Sequence, residues 1–147
     1  MATDFQRLIP ELKNWLPGPI DPATWAANEG NFRLAIAYST IFWPGFVQHD
    51  RYVLRESFSL EGLAGFERQC AGDRRSIEAV MNHIHLDGIQ HLGCADISRE
   101  RLEYLGGVLK EIHEAKLRWQ FPDLSFVVEF YPGDELSEYE LTFWQSP

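Results

Sequence analysis

A chain of 147 residues with 45% hydrophobic and 14% aromatic residues can bury about 68–70% of its unfolded surface without a disulfide or metal, which argues against a disordered chain. A net charge of −9 disfavours nucleic acid and anionic membrane surfaces, which call for basic patches. No window approaches the roughly 20 apolar residues of a membrane span, residues 1–10 hold no apolar signal core, and Cys70 and Cys94 form no CxxC pair, so the expectation is one cytoplasmic domain over 1–147.

Thr3-x-x-Gln6 has the form of a capping box. Phe5, Leu8, Ile9, Leu12, Trp15 and Leu16 then keep helical spacing. Pro10 inside that run predicts a kink or a late start, because an interior proline costs about 3 kcal/mol. Asp21-Pro22 predicts a short helix to Asn28 that stops near Gly30. Asn31 can cap residues 32–43, where Arg33 is the only charge between Gly30 and Gln48. A helix apolar nearly all round is central or lies at an interface; a buried strand is the competing reading.

Residues 51–57 alternate loosely and predict a strand. Ser59 caps a helix to Cys70 with Leu60, Leu63, Phe66 and Cys70 inward. Asp73 caps the next, with Ile77, Val80, Met81 and Ile84 inward. Asp96 or Ser98 opens the longest helix, to about residue 119, with a stripe of Leu102, Leu105, Leu109 and Ile112. Gly106-Gly107 interrupts it, at roughly 1 kcal/mol each against alanine, and close helix packing is the favoured reason. Trp15, Trp25 and Trp43 are expected in the core.

The chain ends in a predicted hairpin. Leu124, Phe126, Val128 and Phe130 form the inner face of one strand. Tyr139, Leu141 and Phe143 form that of the other, with residues 132–137 as the loop. A lone hairpin is marginal in water, so residues 51–57 are the expected third strand. The fold class is α+β: five or six helices packed on a small, mainly antiparallel C-terminal sheet.

Residues 119–147 contain no Lys, Arg or His and hold six acids, Asp123, Glu129, Asp134, Glu135, Glu138 and Glu140. The outer face of the hairpin should display Ser125, Val127, Glu129, Tyr131, Glu138, Glu140, Thr142 and Trp144. Aromatic anchors beside steering acids suit a basic protein partner. The predicted binding residues are Glu129, Tyr131, Glu138, Glu140 and Trp144. Glu138 and Glu140 as a catalytic pair would need burial to split their pKa values.

His83-Ile84-His85-Leu86-Asp87 resembles the HxHxDH zinc motif of the metallo-β-lactamase family, which implies zinc held by the histidines and the aspartate. Gly88 stands at the final motif histidine. If residues 77–84 are helical, His83 and His85 point about 200° apart and cannot share a metal. The first expectation is therefore no metal and no cofactor, with His83, His85, Asp87 and His91 as the alternative set. His91, Cys94 and Asp96 have the residue types of a cysteine nucleophile system. No nucleotide-binding or serine-nucleophile motif is present. The functional expectation is a non-catalytic, immunity- or antitoxin-like binding domain, monomeric or homodimeric. A small metal-dependent hydrolase and a scaffold self-associating through residues 32–43 are the alternatives.

Overall fold

The computed structural model describes residues 2–147. They form six α-helices, three 3-10 turns and two small antiparallel sheets, an α+β protein. The chain divides into two compact units, residues 1–39 and 40–147.

The first unit is helical. Asp4, not Thr3, caps α1 (Phe5–Leu8), its carboxylate accepting the Arg7 N–H at 3.2 Å. The helix ends after one turn because Pro10 lacks an N–H and its ring clashes with the carbonyl four residues back. The chain restarts there as a 3-10 turn, Pro10–Leu12, with proline leading and Leu12 buried. Asp21 starts α2 (Pro22–Glu29), accepting the Thr24 N–H at 2.7 Å. Asn31 caps α3 (Phe32–Phe42) by accepting the Leu34 N–H at 2.9 Å. No residue of α3 is buried, and Phe32 is 90% exposed. Of the two places expected for so apolar a helix, central or at an interface, α3 does not take the central one.

In the second unit β1 (Phe46–His49) and β2 (Tyr52–Arg55) form their own hairpin. Ser59 caps α4 (Leu60–Gln69), Asp73 caps α5 (Arg74–Met81) and Ser98 caps α6 (Arg99–Gln120). Leu63 is buried, but Leu60, expected inward, is exposed. The second sheet has the order β3-β5-β4, with β3 (Ile84–His85), β4 (Phe126–Tyr131) and β5 (Glu140–Gln145). The C-terminal hairpin is therefore present, in the register Phe126↔Gln145 to Tyr131↔Glu140. Its third strand is β3 and not residues 51–57.

The inner face of the hairpin packs on α6. Val128, Leu141 and Phe143 join Leu102, Leu109 and Leu117 in one core with Phe46 and Val53. Gly106 is the point of closest approach: a Cβ there would lie 2.2 Å from the Phe130 ring.

Two buried polar residues one turn apart, Glu78 of α5 and its C-cap Asn82, bridge the sheets. Glu78 accepts the Val53 N–H at 2.8 Å, the Gln145 N–H at 2.7 Å and the Gln145 side-chain amide at 2.5 Å. Asn82 accepts the Arg55 N–H at 3.0 Å and donates to Val53 O at 2.9 Å and Phe143 O at 3.3 Å. β3 pairs only with Glu140 and Leu141 of β5. Glu78 and Asn82 therefore satisfy the backbone of β5 where β3 is too short to reach.

The two neighbouring glycines separate packing from propensity. Gly106→Ala should destabilise the protein by about 1–3 kcal/mol through overpacking against Phe130. Gly107, with nothing within 4 Å of a Cβ, should gain up to about 1 kcal/mol on substitution by alanine. Urea denaturation of both variants checks this; equal effects of the same sign would contradict it.

Candidate functional site

The outer face of the hairpin carries Val127, Glu129 and Tyr131 opposite Trp144, Thr142 and Glu140. Helix α5 seals one end of it. The Thr142 hydroxyl donates to Ala79 O at 2.6 Å. Trp144 is 7% exposed, with the Arg75 guanidinium 4.9 Å from its ring centroid. The other end is open: Tyr131 is 45% exposed, the Glu140 side chain 39%, and Glu129 is partly exposed. Trp144 and Thr142 thus leave the expected docking face because their own chain covers them.

Glu138 leaves that face for a different reason. It ends the 3-10 turn Leu136–Glu138, before the strand begins, and its carboxylate accepts the Asp134 and Glu135 N–H groups, each at 2.9 Å. This capping box and Arg99 fix the loop. Arg99 donates to Gly133 O at 3.2 Å, Asp134 O at 2.8 Å and the Tyr139 hydroxyl at 3.0 Å. The Asp134 and Glu135 residues remain exposed beside the open end.

His83 and His85 come to this same end. Helix α5 stops at Met81 with Asn82 as its C-cap, and the chain is extended by β3, so alternation places both histidines on one side. The angular objection drawn from a longer helix falls away. Their rings are 5.2 Å apart, edge to face. The pairing His85↔Glu140 brings a carboxylate from the hairpin, with His85 Nδ1 3.5 Å from Glu140 Oε1. One ligating atom from each of His83, His85 and Glu140 lies within 4.8 Å of the other two.

The histidine tautomers follow from the neighbours. His83 Nδ1 is 2.7 Å from Val80 O, and His85 Nδ1 is 3.3 Å from Ser137 O. A carbonyl oxygen only accepts, so a neutral His83 carries its proton on Nδ1 and presents a lone pair at Nε2, whereas His85 Nδ1 faces both Ser137 O and Glu140 Oε1. Among the described residues, the metal-competent group is thus His83, His85 and Glu140. Asp87 lies in the next turn, Leu86–Ile89, and His91 turns its Nδ1 to Leu92 O at 3.1 Å. Sequence spacing found the two histidines. Glu140 carried no such signal, because its place depends on which strand pairs with β5.

No family model, curated protein or solved structure matches the chain.

The His91, Cys94 and Asp96 combination is not assembled as a nucleophile system. The Cys94 thiol donates to Asp96 Oδ1 at 2.9 Å, and this bond raises the thiol pKa, whereas a reactive cysteine needs a lowered one. Trp43, expected in the core, is half exposed, with the Lys116 ammonium 4.7 Å from its ring centroid. Two concave places lie elsewhere, one lined by Trp15 and Trp25 within the first unit, the other by Arg51, Arg74 and Arg75 within the second. Neither contains the histidine pair.

One histidine is fully buried. His113 on α6 donates from Nδ1 to Leu109 O at 2.7 Å, and its Nε2 lies 3.2 Å from Arg55 Nη1. Burial pushes its pKa down from 6.5 to about 4, and burial also lowers that of Arg55. The ring is neutral near pH 7 and accepts from the guanidinium. Its stabilisation is present above about pH 6.5 and is lost as the pH falls through about 4, since only the unfolded chain binds the proton in between. That loss amounts to roughly 3 kcal/mol. Chemical denaturation at pH 7 and pH 4 should show a smaller acid loss in His113→Gln than in the unaltered protein, by about 2–3 kcal/mol. Equal losses would contradict this reading.

Proposed function

We propose that the chain is a non-catalytic binding domain that engages a basic protein partner through the open end of the hairpin. The surface comprises Glu129, Tyr131 and Glu140, joined by Asp134 of the adjoining loop. An immunity- or antitoxin-like inhibitor is its most concrete form. The observation that carries the reading is the exposed Tyr131, paired across the hairpin with Glu140 and two residues from Glu129 on the same strand face, within residues 119–147 that hold no basic side chain. Acids arranged this way steer a basic partner, and the tyrosine offers an anchor that desolvates at low entropic cost. A rigid frame supports it: β4, β5 and the loop held by Arg99.

A hydrolase built on His83, His85, Asp87 and His91 draws less support, because the four are not gathered and both paired histidines are exposed. The exposed apolar side chains of α3 are compatible with self-association, but nothing in the structure shows what covers them.

Glu129→Lys combined with Asp134→Lys leaves both histidines and Glu140 in place. Against the purified partner recovered with the unaltered chain, this variant should associate more slowly by on the order of tenfold at about 50 mM salt, with the gap closing near 500 mM. Stopped-flow or surface-based kinetics reads this. Equal association rates at both salt levels would contradict the reading.

A further inference from the structure

We propose that His83, His85 and Glu140 form a binding site for one divalent transition-metal ion of the zinc class. This site does not rest on the docking reading: its ligand is a free ion, and of its three residues only Glu140 also belongs to that surface.

Two imidazoles with one carboxylate are a donor set suited to zinc and its neighbours; calcium and magnesium take oxygen ligands. Around zinc, bonds of about 2.0–2.2 Å in tetrahedral geometry place ligand atoms roughly 3.3–3.6 Å apart. The three groups already lie within 4.8 Å of one another. Both histidines are exposed and Glu140 partly so, so small side-chain rotations can close the difference without moving backbone.

The outer shell is an independent observation. Ligating histidines donate their second ring N–H to a carbonyl or carboxylate, which fixes the tautomer and aims the free nitrogen. Val80 O occupies that role for His83, and on the other ring it is Nδ1 that lies 3.5 Å from Glu140. Val80 O belongs to the last turn of α5, where carbonyls lack helical partners, so the bond to His83 satisfies an orphan group as it orients the ring.

Three protein ligands leave the fourth position to water. The site is open to solvent at both histidines. Its consequence is structural: the ion ties β3, only two residues long, to β5 across the His85↔Glu140 pair. Binding to the folded state alone then raises stability by mass action. The ion would also offset charge at Glu140, within a chain of net charge −9.

The test uses the full chain, stripped with a chelator, with ZnCl₂ alone as the probe in calorimetry and CoCl₂ followed by visible absorption. The expected results are one ion per chain, the strong visible bands of four-coordinate cobalt and a higher Tm with zinc. His83→Gln and Glu140→Gln, at exposed or partly exposed positions, should each weaken zinc binding by on the order of tenfold or more, with unchanged circular dichroism. Asp87→Asn and His91→Gln should bind zinc as the unaltered chain does. The proposal is overturned by the lack of saturable binding at about 100 µM zinc, or by Asp87→Asn or His91→Gln weakening binding as much as His83→Gln does. Neither result touches the association kinetics that test the docking surface.

Discussion

Glu78 and Asn82 carry the hydrogen bonding that neighbouring strands normally supply to each other. Glu78 is fully buried and accepts three N–H bonds from Val53 and Gln145. Asn82, equally buried, exchanges bonds with Val53, Arg55 and Phe143. A buried polar group left unpaired costs about 1–3 kcal/mol, so a fully satisfied network of this kind tolerates little displacement. It sets the position of α5 against β2 and β5 together. The end of α5 in turn decides where His83 and His85 point, and how much of the outer hairpin face is sealed.

Local signals in the sequence were legible because they act within a few residues. Asp21, Asn31, Ser59, Asp73 and Ser98 each accept an amide from the first turn of the helix they precede. The C-terminal hairpin was legible from its period of two, and Gly106 from its break in a helical stripe. The bridging pair was not. A glutamate and an asparagine on an amphipathic helix read as exposed groups, and only the tertiary arrangement shows backbone donors waiting for them. β3 was hidden for a similar reason, since two residues hold no period. Residues 51–57 alternate well enough to predict a strand, yet β2 pairs with β1, and that choice is not written in the segment itself. Nor does α3 take the central place that its composition allowed, since composition speaks only of apolar character and not of what lies beside it.

These misses propagate to the site. With the wrong third strand, Glu140 stands only among acids; with the right one it stands beside two imidazoles. With the outer face taken as open throughout, Trp144 reads as an anchor. In the fold it is held under Arg75. One end of a small sheet thus gathers two kinds of chemistry: carboxylates around Tyr131 that suit a cationic surface, and a His–His–Glu group that suits a metal ion. Both depend on α5 stopping where it does.

Native-state hydrogen exchange, followed by NMR at the Val53, Arg55 and Gln145 amides, tests that dependence most directly. These three donate to side chains of α5 and not to a neighbouring strand. If the bridge holds the sheets together, they exchange only through global opening, as slowly as the ladder amides shared by β4 and β5, and Asn82→Ala releases Arg55 first. If they exchange at the rate of exposed loop amides in the unaltered protein, the bridge does not organise the fold.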